Sequence, residues 1–313
     1  MPDTWPVSSA NTSSFASGAK SKFEPSGLAC VGEYLYVVSD NCRTARINLA
    51  NDDNHGDAID YQNMNDVSAL INKDLECITA IGDALFLGAE GNSDSPSECP
   101  RIYEYYPNPN HKDRLPPGNN NNIGRSWALS DLPHHSDDGG MEAMTFAPDG
   151  GHPFANSTGG FNGLFLVASQ AVEAIGAIYA YDLSIDGASA RQVGSFRTPV
   201  LDTAATSELH YSASRDTLFV LYDKAIYQLQ ELRMTPPAQG DSFGTVTQLF
   251  LTEPKSPTGV QLRGIEGLAA CGSDLFISID QKKSEARHNN TCVNRSCSQF
   301  DNFVYRYKNY PQH

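Results

Sequence analysis

A β-hairpin pattern that occurs five times along the chain limits the fold more than any other feature of the sequence. The copies span 24–40, 74–90, 140–170, 207–223 and 264–280. Each copy has two apolar runs of alternating side chains around a short polar turn, a pattern typical of paired strands. Each repeating unit is about 50–66 residues long, a length that is typical of solenoids and propellers.

Further strand-like runs follow each hairpin. TARINLA, RIYEYYP, AIYAYDL, AIYQLQEL and FVYRYK each come after one copy, and several are followed by a fourth run such as TVTQLFLT. Three or four strand-like runs in each of five units predict an all-β fold, a five-bladed β-propeller of four-stranded antiparallel blades around a central channel. Six blades are the alternative, if residues 1–23 and the segment after Asp280 build another one.

We interpret residues 1–313 as one propeller domain. Residues 1–23 would then complete the last blade, which removes an exposed sheet edge.

Polar side chains recur at both ends of the hairpins. In a propeller blade the start of the first strand and the end of the second strand lie on the same face, so these residues should meet at one channel mouth. The first predicted ring is Ser26, Glu76, Glu142, Glu208 and Glu266. The second predicted ring is Asp40, Glu90, Gln170, Asp223 and Asp280.

Eight carboxylates that converge on one axis raise one another's pKa values, and a hard cation relieves their repulsion. Calcium takes six to eight oxygen ligands in loose geometry. Zinc and copper would require His or Cys ligands, which do not cluster at these positions. The first ring is therefore our predicted set of Ca²⁺ ligands, although any one of these acids could instead cap a turn.

The composition narrows the classes of partner. A net charge of −15 over 313 residues argues against nucleic acid and anionic membrane as ligands. No apolar run reaches the roughly 18–20 residues that a membrane-spanning helix needs. We therefore expect a monomer that binds a small molecule.

The cysteines favour a secreted or periplasmic protein, although the chain begins with no visible signal peptide, whereas the Asn-x-Ser/Thr triplets arise easily by chance in a chain rich in Ser and Asn. Cys292 and Cys297 bracket a short polar loop, which resembles a surface disulfide. Asn-x-Ser/Thr triplets begin at Asn11, Asn156, Asn289 and Asn294.

The motifs PSGLA, DLECITA, MEAMTFAPDG, SELHYS and GIEGLA occur in this order between about residues 24 and 281. This series resembles the esterase-like phytase domain and the SdiA-regulated propeller proteins and, more distantly, the calcium-activated nucleotidases. The resemblance implies a secreted or periplasmic propeller with axial calcium, held by the first ring, and phosphoester hydrolysis. The chain departs from the family pattern at Cys77 and Ala143, where Gly is expected, at Gln170, where a carboxylate is usual, and at Asp280.

The first functional hypothesis is a calcium-dependent hydrolase of phosphoesters or carboxyl esters. The candidate general bases are Asp40, Asp223 and Asp280, and the candidate general acid is His134 in the loop HHSDDGG. The candidate residues for binding an anionic ester are Arg43, Arg101, Lys224 and Arg263. No Gly-x-Ser-x-Gly elbow is present, which disfavours a serine esterase.

The second hypothesis is a non-catalytic propeller with a structural calcium ion. Its acidic funnel would bind a glycan, a peptide or a cationic small molecule. An enzyme of specialised metabolism on the same scaffold is a third alternative. The alternative, which the sequence alone favours, is that His134 lies in a plain polar loop and that the basic residues are solvated loop charges.

Overall fold

Twenty strands form five antiparallel sheets of four strands each, and this confirms the predicted five-bladed propeller. The computed structural model describes residues 3–6, 25–39, 43–50, 59–62, 74–91, 99–107, 123–134, 139–171, 174–199, 204–223, 227–255, 261–279 and 303–311. Within these ranges there is no sixth sheet. The described part of the chain also contains no helix that is long and apolar enough to cross a membrane.

The first two blades follow the chain in order. The first strand of the chain, β1, is Asp3–Pro6 and is not part of blade 1. Blade 1 consists of β2 (Pro25–Val31), β3 (Tyr34–Ser39), β4 (Arg43–Asn48) and β5 (Ile59–Gln62). Blade 2 consists of β6 (Leu75–Ile81), β7 (Ala84–Ala89), β8 (Arg101–Tyr105) and β9 (Ile123–Ala128).

The remaining blades repeat this plan, except for the closing strand. Blade 3 consists of β10 (Met141–Pro148), β11 (Gly163–Ser169), β12 (Ala177–Leu183) and β13 (Ala190–Arg197). Blade 4 consists of β14 (Ala205–Ser212), β15 (Thr217–Asp223), β16 (Gln228–Thr235) and β17 (Thr245–Thr252). Blade 5 consists of β18 (Ile265–Cys271), β19 (Asp274–Ile279), β20 (Phe303–Tyr307) and β1, which pairs with β20.

The hydrophobic core lies between neighbouring blades. Strands β7 and β11 are buried at every position, because both faces of an inner sheet are covered by adjacent blades. The outer strand β17 contains only exposed and half-buried residues, because its edge faces solvent. This layering explains why the second strand of each hairpin is a continuous apolar run in the sequence.

Every inner strand carries a β-bulge near its start. In β2, β6 and β10 the extra residues are Ser26, Glu76 and Glu142, and in β18 the irregularity covers Glu266 and Gly267. A bulge bends the strand and re-aims a side chain out of the regular alternation. The repeated bulge therefore places one polar residue per blade at the same end of the channel.

The inner strands contact one another in a closed ring, in the order β2, β6, β10, β14 and β18. Gly27 lies at a close approach of β2 and β6, because a methyl group there would be 2.8 Å from the Cα atom of Cys77. A residue with a side chain at position 27 would force blades 1 and 2 apart.

Side chains also join neighbouring inner strands by hydrogen bonds to the backbone. The N–H group of Phe146 donates to Oγ1 of Thr79 (3.2 Å), and that of Tyr211 donates to Oγ1 of Thr145 (2.8 Å). His210 occupies the corresponding position in blade 4 and hydrogen-bonds the backbone of Ala270 in blade 5. Desolvation lowers the pKa of His210 to about 4, so its ring is neutral near pH 7.

A disulfide bond joins the first and last blades. Cys30 in β2 and Cys271 in β18 are bonded, with Cα atoms 5.9 Å apart and a sequence separation of 241 residues. The pairing was not anticipated from the sequence, and the predicted Cys292–Cys297 pair lies outside the described residues. The disulfide acts with the pairing of β1 and β20 to hold the ring closed.

We predict that replacing Cys30 and Cys271 by Ala lowers the free energy of unfolding by about 2–4 kcal/mol, because the cross-link restricts the unfolded chain. Denaturant unfolding with and without a reductant measures this difference. Reduced wild type and the double variant should be equally stable. If oxidised wild type has the same free energy of unfolding as the double variant, the prediction is contradicted.

We predict that Thr145→Val lowers the free energy of unfolding by about 1–3 kcal/mol, because the N–H group of the half-buried Tyr211 loses its acceptor. Thr145→Ser keeps the hydroxyl group and serves as the matched control. Equal stability of the Val and Ser variants would show that this hydrogen bond between blades contributes nothing.

Candidate functional site

The channel mouth collects the bulge residues and the ends of the second strands. Register shows why: Pro25 pairs with Ser39, Leu75 with Ala89, and Met141 with Ser169, so the first strand begins where the second one ends. We use the term axial mouth for this end of the channel and the residues around the five bulges.

Three carboxylates of blade 2 lie together at the axial mouth. Ligand-type oxygens of Asp74, Glu76 and Glu90 all lie within 4.8 Å of one another. Asp74 is exposed, whereas Glu76 and Glu90 are half-buried. Among the described residues this is the one group of three or more acidic, His or Cys side chains with such spacing. Two unit charges at 4.8 Å repel each other by about 3–4 kcal/mol at an effective dielectric constant of 20.

Asp74 was not among the residues predicted for the site. It lies immediately before β6, and the backbone N–H group of Glu90 donates to its carbonyl oxygen (3.0 Å), so the two chain segments are adjacent. The signal was present in the sequence as Asp74-Leu75-Glu76, because residues two apart in an extended segment share a face.

The cluster continues into blade 3. The N–H group of Gly140 donates to Oε1 of Glu90 (2.9 Å). A methyl group on Gly139 would lie 2.7 Å from Oε1 of Glu90 and 3.3 Å from Oε1 of Glu142. Gly139 has a positive φ of 81°, a conformation that favours glycine. Glycine at this position therefore lets the carboxylates of two blades approach the same turn.

Glu208 lies at the centre of the axial mouth and is completely buried. Its Oε1 atom accepts the N–H groups of Leu209 (2.9 Å) and of Met144 in blade 3 (3.3 Å). Its Oε2 atom is buried and has no hydrogen-bond partner. Burial raises the pKa of Glu208, and the negative charge of Glu266 raises it further. Hydrogen bonds from backbone N–H groups, including that of Leu28 in blade 1, act in the opposite direction and lower this pKa.

The alignment of Glu208 with the first ring was wrong by one residue. Thr206 pairs with Tyr222 and Glu208 with Leu221, so Ser207 is the residue at the bulge. The difference arises because blade 4 has a four-residue turn, 213–216, where blades 1, 2 and 5 have two-residue turns. Glu208 instead corresponds to Gly27, Cys77 and Ala143. These small residues leave room for its carboxylate near the axis.

Acids from three blades lie close enough to Cys77 to affect the pKa of its thiol. Burial raises the pKa of its thiol, and the charges of Glu208, Glu76 and Glu142 raise it further. The thiol therefore stays protonated near neutral pH and is a poor ligand for a soft metal. The available donors at the axial mouth are carboxylate oxygens and hydroxyl groups, including that of the buried Ser26. This donor set suits a hard cation such as Ca²⁺.

The predicted catalytic residues are only partly described. Asp40 and Asp280 lie outside the described residues. Asp223 is the last residue of β15, pairs with Ala205 at the start of β14 and is half-buried at the axial mouth. His134 is half-buried, and its Nδ1 atom lies 2.7 Å from the carbonyl oxygen of Leu132. That contact holds the ring in place and leaves Nε2 as the other nitrogen for proton transfer.

The predicted substrate-binding residues lie at strand starts on the face of the axial mouth. Arg101 begins β8 and is half-buried. Arg263 precedes β18, and its guanidinium lies 5.5 Å from the ring centre of Tyr227. Neither forms an ion pair with a carboxylate among the described residues. Arg43 begins β4, but the structure does not describe its side chain. Lys224 lies outside the described residues.

Comparisons with known proteins place the chain in no family. No model of a known protein family matches it, and no curated protein matches it either. Among solved structures, a protein from Lactobacillus plantarum is 12% identical with a TM-score of 0.40, covering 89% of this chain and 75% of that chain.

Two further solved structures are similar at the same level. The β-propeller domain of Cps50 (Swd1) from Myceliophteria thermophila is 8% identical with a TM-score of 0.43, covering 83% of this chain and 69% of that chain. A chain of a mitotic checkpoint complex is 10% identical with a TM-score of 0.39, covering 91% and 77%. The propeller assignment rests on the strand order of the chain itself.

Proposed function

We propose that this protein binds a Ca²⁺ ion at its axial mouth. The observation that carries the proposal is Glu208, a completely buried carboxylate with one oxygen that has no hydrogen-bond partner. A buried carboxylate of this kind is stable only if it takes up a proton or faces a cation. Four further acids of the axial mouth, Asp74, Glu76, Glu142 and Glu266, make a cation the more favourable partner.

The ligands divide into an inner and an outer side. Glu142 and Glu208 are buried and would bind the ion from within the ring. Asp74, Glu76 and Glu90 border solvent and would hold it from outside, where water or a substrate oxygen completes the set of oxygen ligands. When bound, the ion supplies Lewis acidity toward a coordinated oxygen.

The same mouth is suited to hydrolysis of an anionic phosphoester or carboxyl ester. Arg101 and Arg263 have no ion-pair partner among the described residues, so their guanidinium groups are available to bind the anion. Asp223 lies on the same face and would accept the proton of the attacking water. The half-buried His134 would return a proton to the leaving group through Nε2.

We also propose that the protein is secreted or periplasmic. The Cys30–Cys271 disulfide supports a secreted or periplasmic protein, because oxidising compartments preserve such bonds. Extracellular calcium would then keep the site loaded.

The expected result of adding Ca²⁺ to chelator-treated protein is measurable heat and a higher Tm. A concentration of 100 times Kd stabilises a folded protein by about 2.7 kcal/mol. Glu76→Gln and Glu208→Gln should each weaken binding at least about 10-fold, because each removes a charge that faces the ion. Isothermal titration calorimetry and thermal unfolding provide the two measurements.

The matched control is Glu33→Gln, in the exposed turn between β2 and β3 at the far end of the blade. It should bind Ca²⁺ as the wild type does. If wild type shows no binding and Glu208→Gln is as stable as wild type in chelator, Glu208 carries a proton and the cation proposal fails.

For hydrolysis, we expect turnover of p-nitrophenyl phosphate, nucleoside triphosphates or p-nitrophenyl acetate that is lost in chelator. Asp223→Asn should lower kcat by about 100-fold or more if Asp223 is the general base. Arg263→Ala should mainly raise KM for anionic esters, whereas the exposed Arg233→Ala on β16 should have no effect. Calcium binding without turnover of any ester would instead establish a binding propeller with a structural ion.

A further inference from the structure

One motif from the sequence is not used by the axial mouth. Asn156, Ser157 and Thr158 form an Asn-x-Thr triplet in the connection between β10 and β11. This connection lies at the end of blade 3 opposite to the bulge at Glu142. Of the four such triplets in the sequence, this is the one within the described residues.

The two residues after Asn156 are anchored by buried or half-buried acids. Asp149 accepts the N–H group of Ser157 at Oδ1 (2.8 Å) and its hydroxyl at Oδ2 (3.2 Å). Asp182 accepts the N–H group of Thr158 (2.8 Å) and its hydroxyl (2.9 Å) at Oδ2. The N–H group of Gly159 donates to Oδ1 of Asp182 (2.8 Å). The loop therefore has a fixed conformation around the asparagine.

Asn156 itself is exposed at the tip of this loop. Its side-chain amide makes no hydrogen bond with any residue in the described ranges. A group attached to its Nδ2 atom would extend into solvent without displacing a packed side chain. The fold thus leaves this asparagine free while its neighbours secure the loop.

An aromatic side chain that is partly exposed, Phe243, lies beside the loop. Phe243 is 38% exposed and packs against Phe154, with ring centres 5.2 Å apart. The N–H group of Gly244 donates to the carbonyl oxygen of Pro153 (2.8 Å), which ties the Phe243 segment to this loop. Phe154 is only two residues before Asn156, so the asparagine and the residue that packs against Phe243 belong to the same loop.

We propose that Asn156 is an N-glycosylation site and that its glycan covers the aromatic surface around Phe243. In the reaction, Nδ2 of Asn156 forms a bond to C1 of the sugar, and the bond between C1 and the diphosphate of a lipid-linked oligosaccharide breaks. The amide releases one proton, and the lipid diphosphate is the leaving group. The transfer precedes folding, and the contacts of Thr158 with Asp182 form afterwards.

The glycan would lie far from the substrate side of the propeller. Because the β10–β11 connection and the axial mouth are at opposite ends of the channel, cation binding should be independent of the modification. This proposal is also independent of the cation proposal, since neither site shares a residue with the other.

The test is to direct the full chain into the secretory pathway of eukaryotic cells and to map its peptides by mass spectrometry. Treatment with a peptide N-glycosidase in ¹⁸O-labelled water marks each formerly glycosylated asparagine as labelled aspartate. We expect the label on Asn156 in wild type and in Thr158→Ser, and none in Thr158→Ala. Asn156→Gln should lack the glycan and aggregate more readily than wild type.

The oxidation state of Cys30 and Cys271 in the same sample shows whether the chain passed through the oxidising compartment. An oxidised pair together with an unmodified Asn156 overturns the proposal, and so does a chain that is retained with both cysteines reduced. Equal aggregation of wild type and Asn156→Gln would overturn the part of the proposal that concerns Phe243.

Discussion

The inner strand of each blade has a strand neighbour on one side only, so its other backbone edge faces the channel. Buried N–H groups on such an edge need acceptors, since an unpaired one costs free energy comparable to a lost hydrogen bond. Thr79 and Thr145 supply acceptors to blades 3 and 4, and Glu208 supplies one to Met144 and Leu209. The carboxylate at the axis is thus as much a structural requirement of the narrow ring as a feature of the proposed site.

This dual role explains why the axial mouth concentrates negative charge. An acceptor at the axis is most effective as a carboxylate, because hydrogen bonds to charged groups are stronger than those between neutral groups. The charge of Glu266 raises the pKa of Glu208, and the charges of Glu208, Glu76 and Glu142 together raise the pKa of the Cys77 thiol. A bound cation would offset the effect of these charges, so the structural and functional requirements favour the same residue types.

Much of the fold could be predicted from the sequence, because each blade repeats the same alternation and the same short turn. The Gly-Leu-Ala triplets in blades 1 and 5 gave the alignment of the five hairpins. In that alignment, the polar position near the start of the first strand coincides with the bulge at Ser26, Glu76 and Glu142. The alignment was wrong in blade 4, because the turn there is longer. The residue at the bulge is Ser207, and the alignment had placed Glu208 there. The Cys30–Cys271 pair was also missed, because proximity across 241 residues comes only from ring closure.

Ring closure has a consequence for how the molecule is made. Blade 5 contains β1 and β20, the first and the last strand of the described chain, so the chain must be synthesised at least through β20 before this sheet is complete. Until β18 is synthesised, β2 has no inner strand on that side, and its apolar side chains there face water. Such late, long-range contacts slow folding and prolong the exposure of apolar, aggregation-prone surface. A nascent chain of this kind would depend on chaperones more than its final stability suggests.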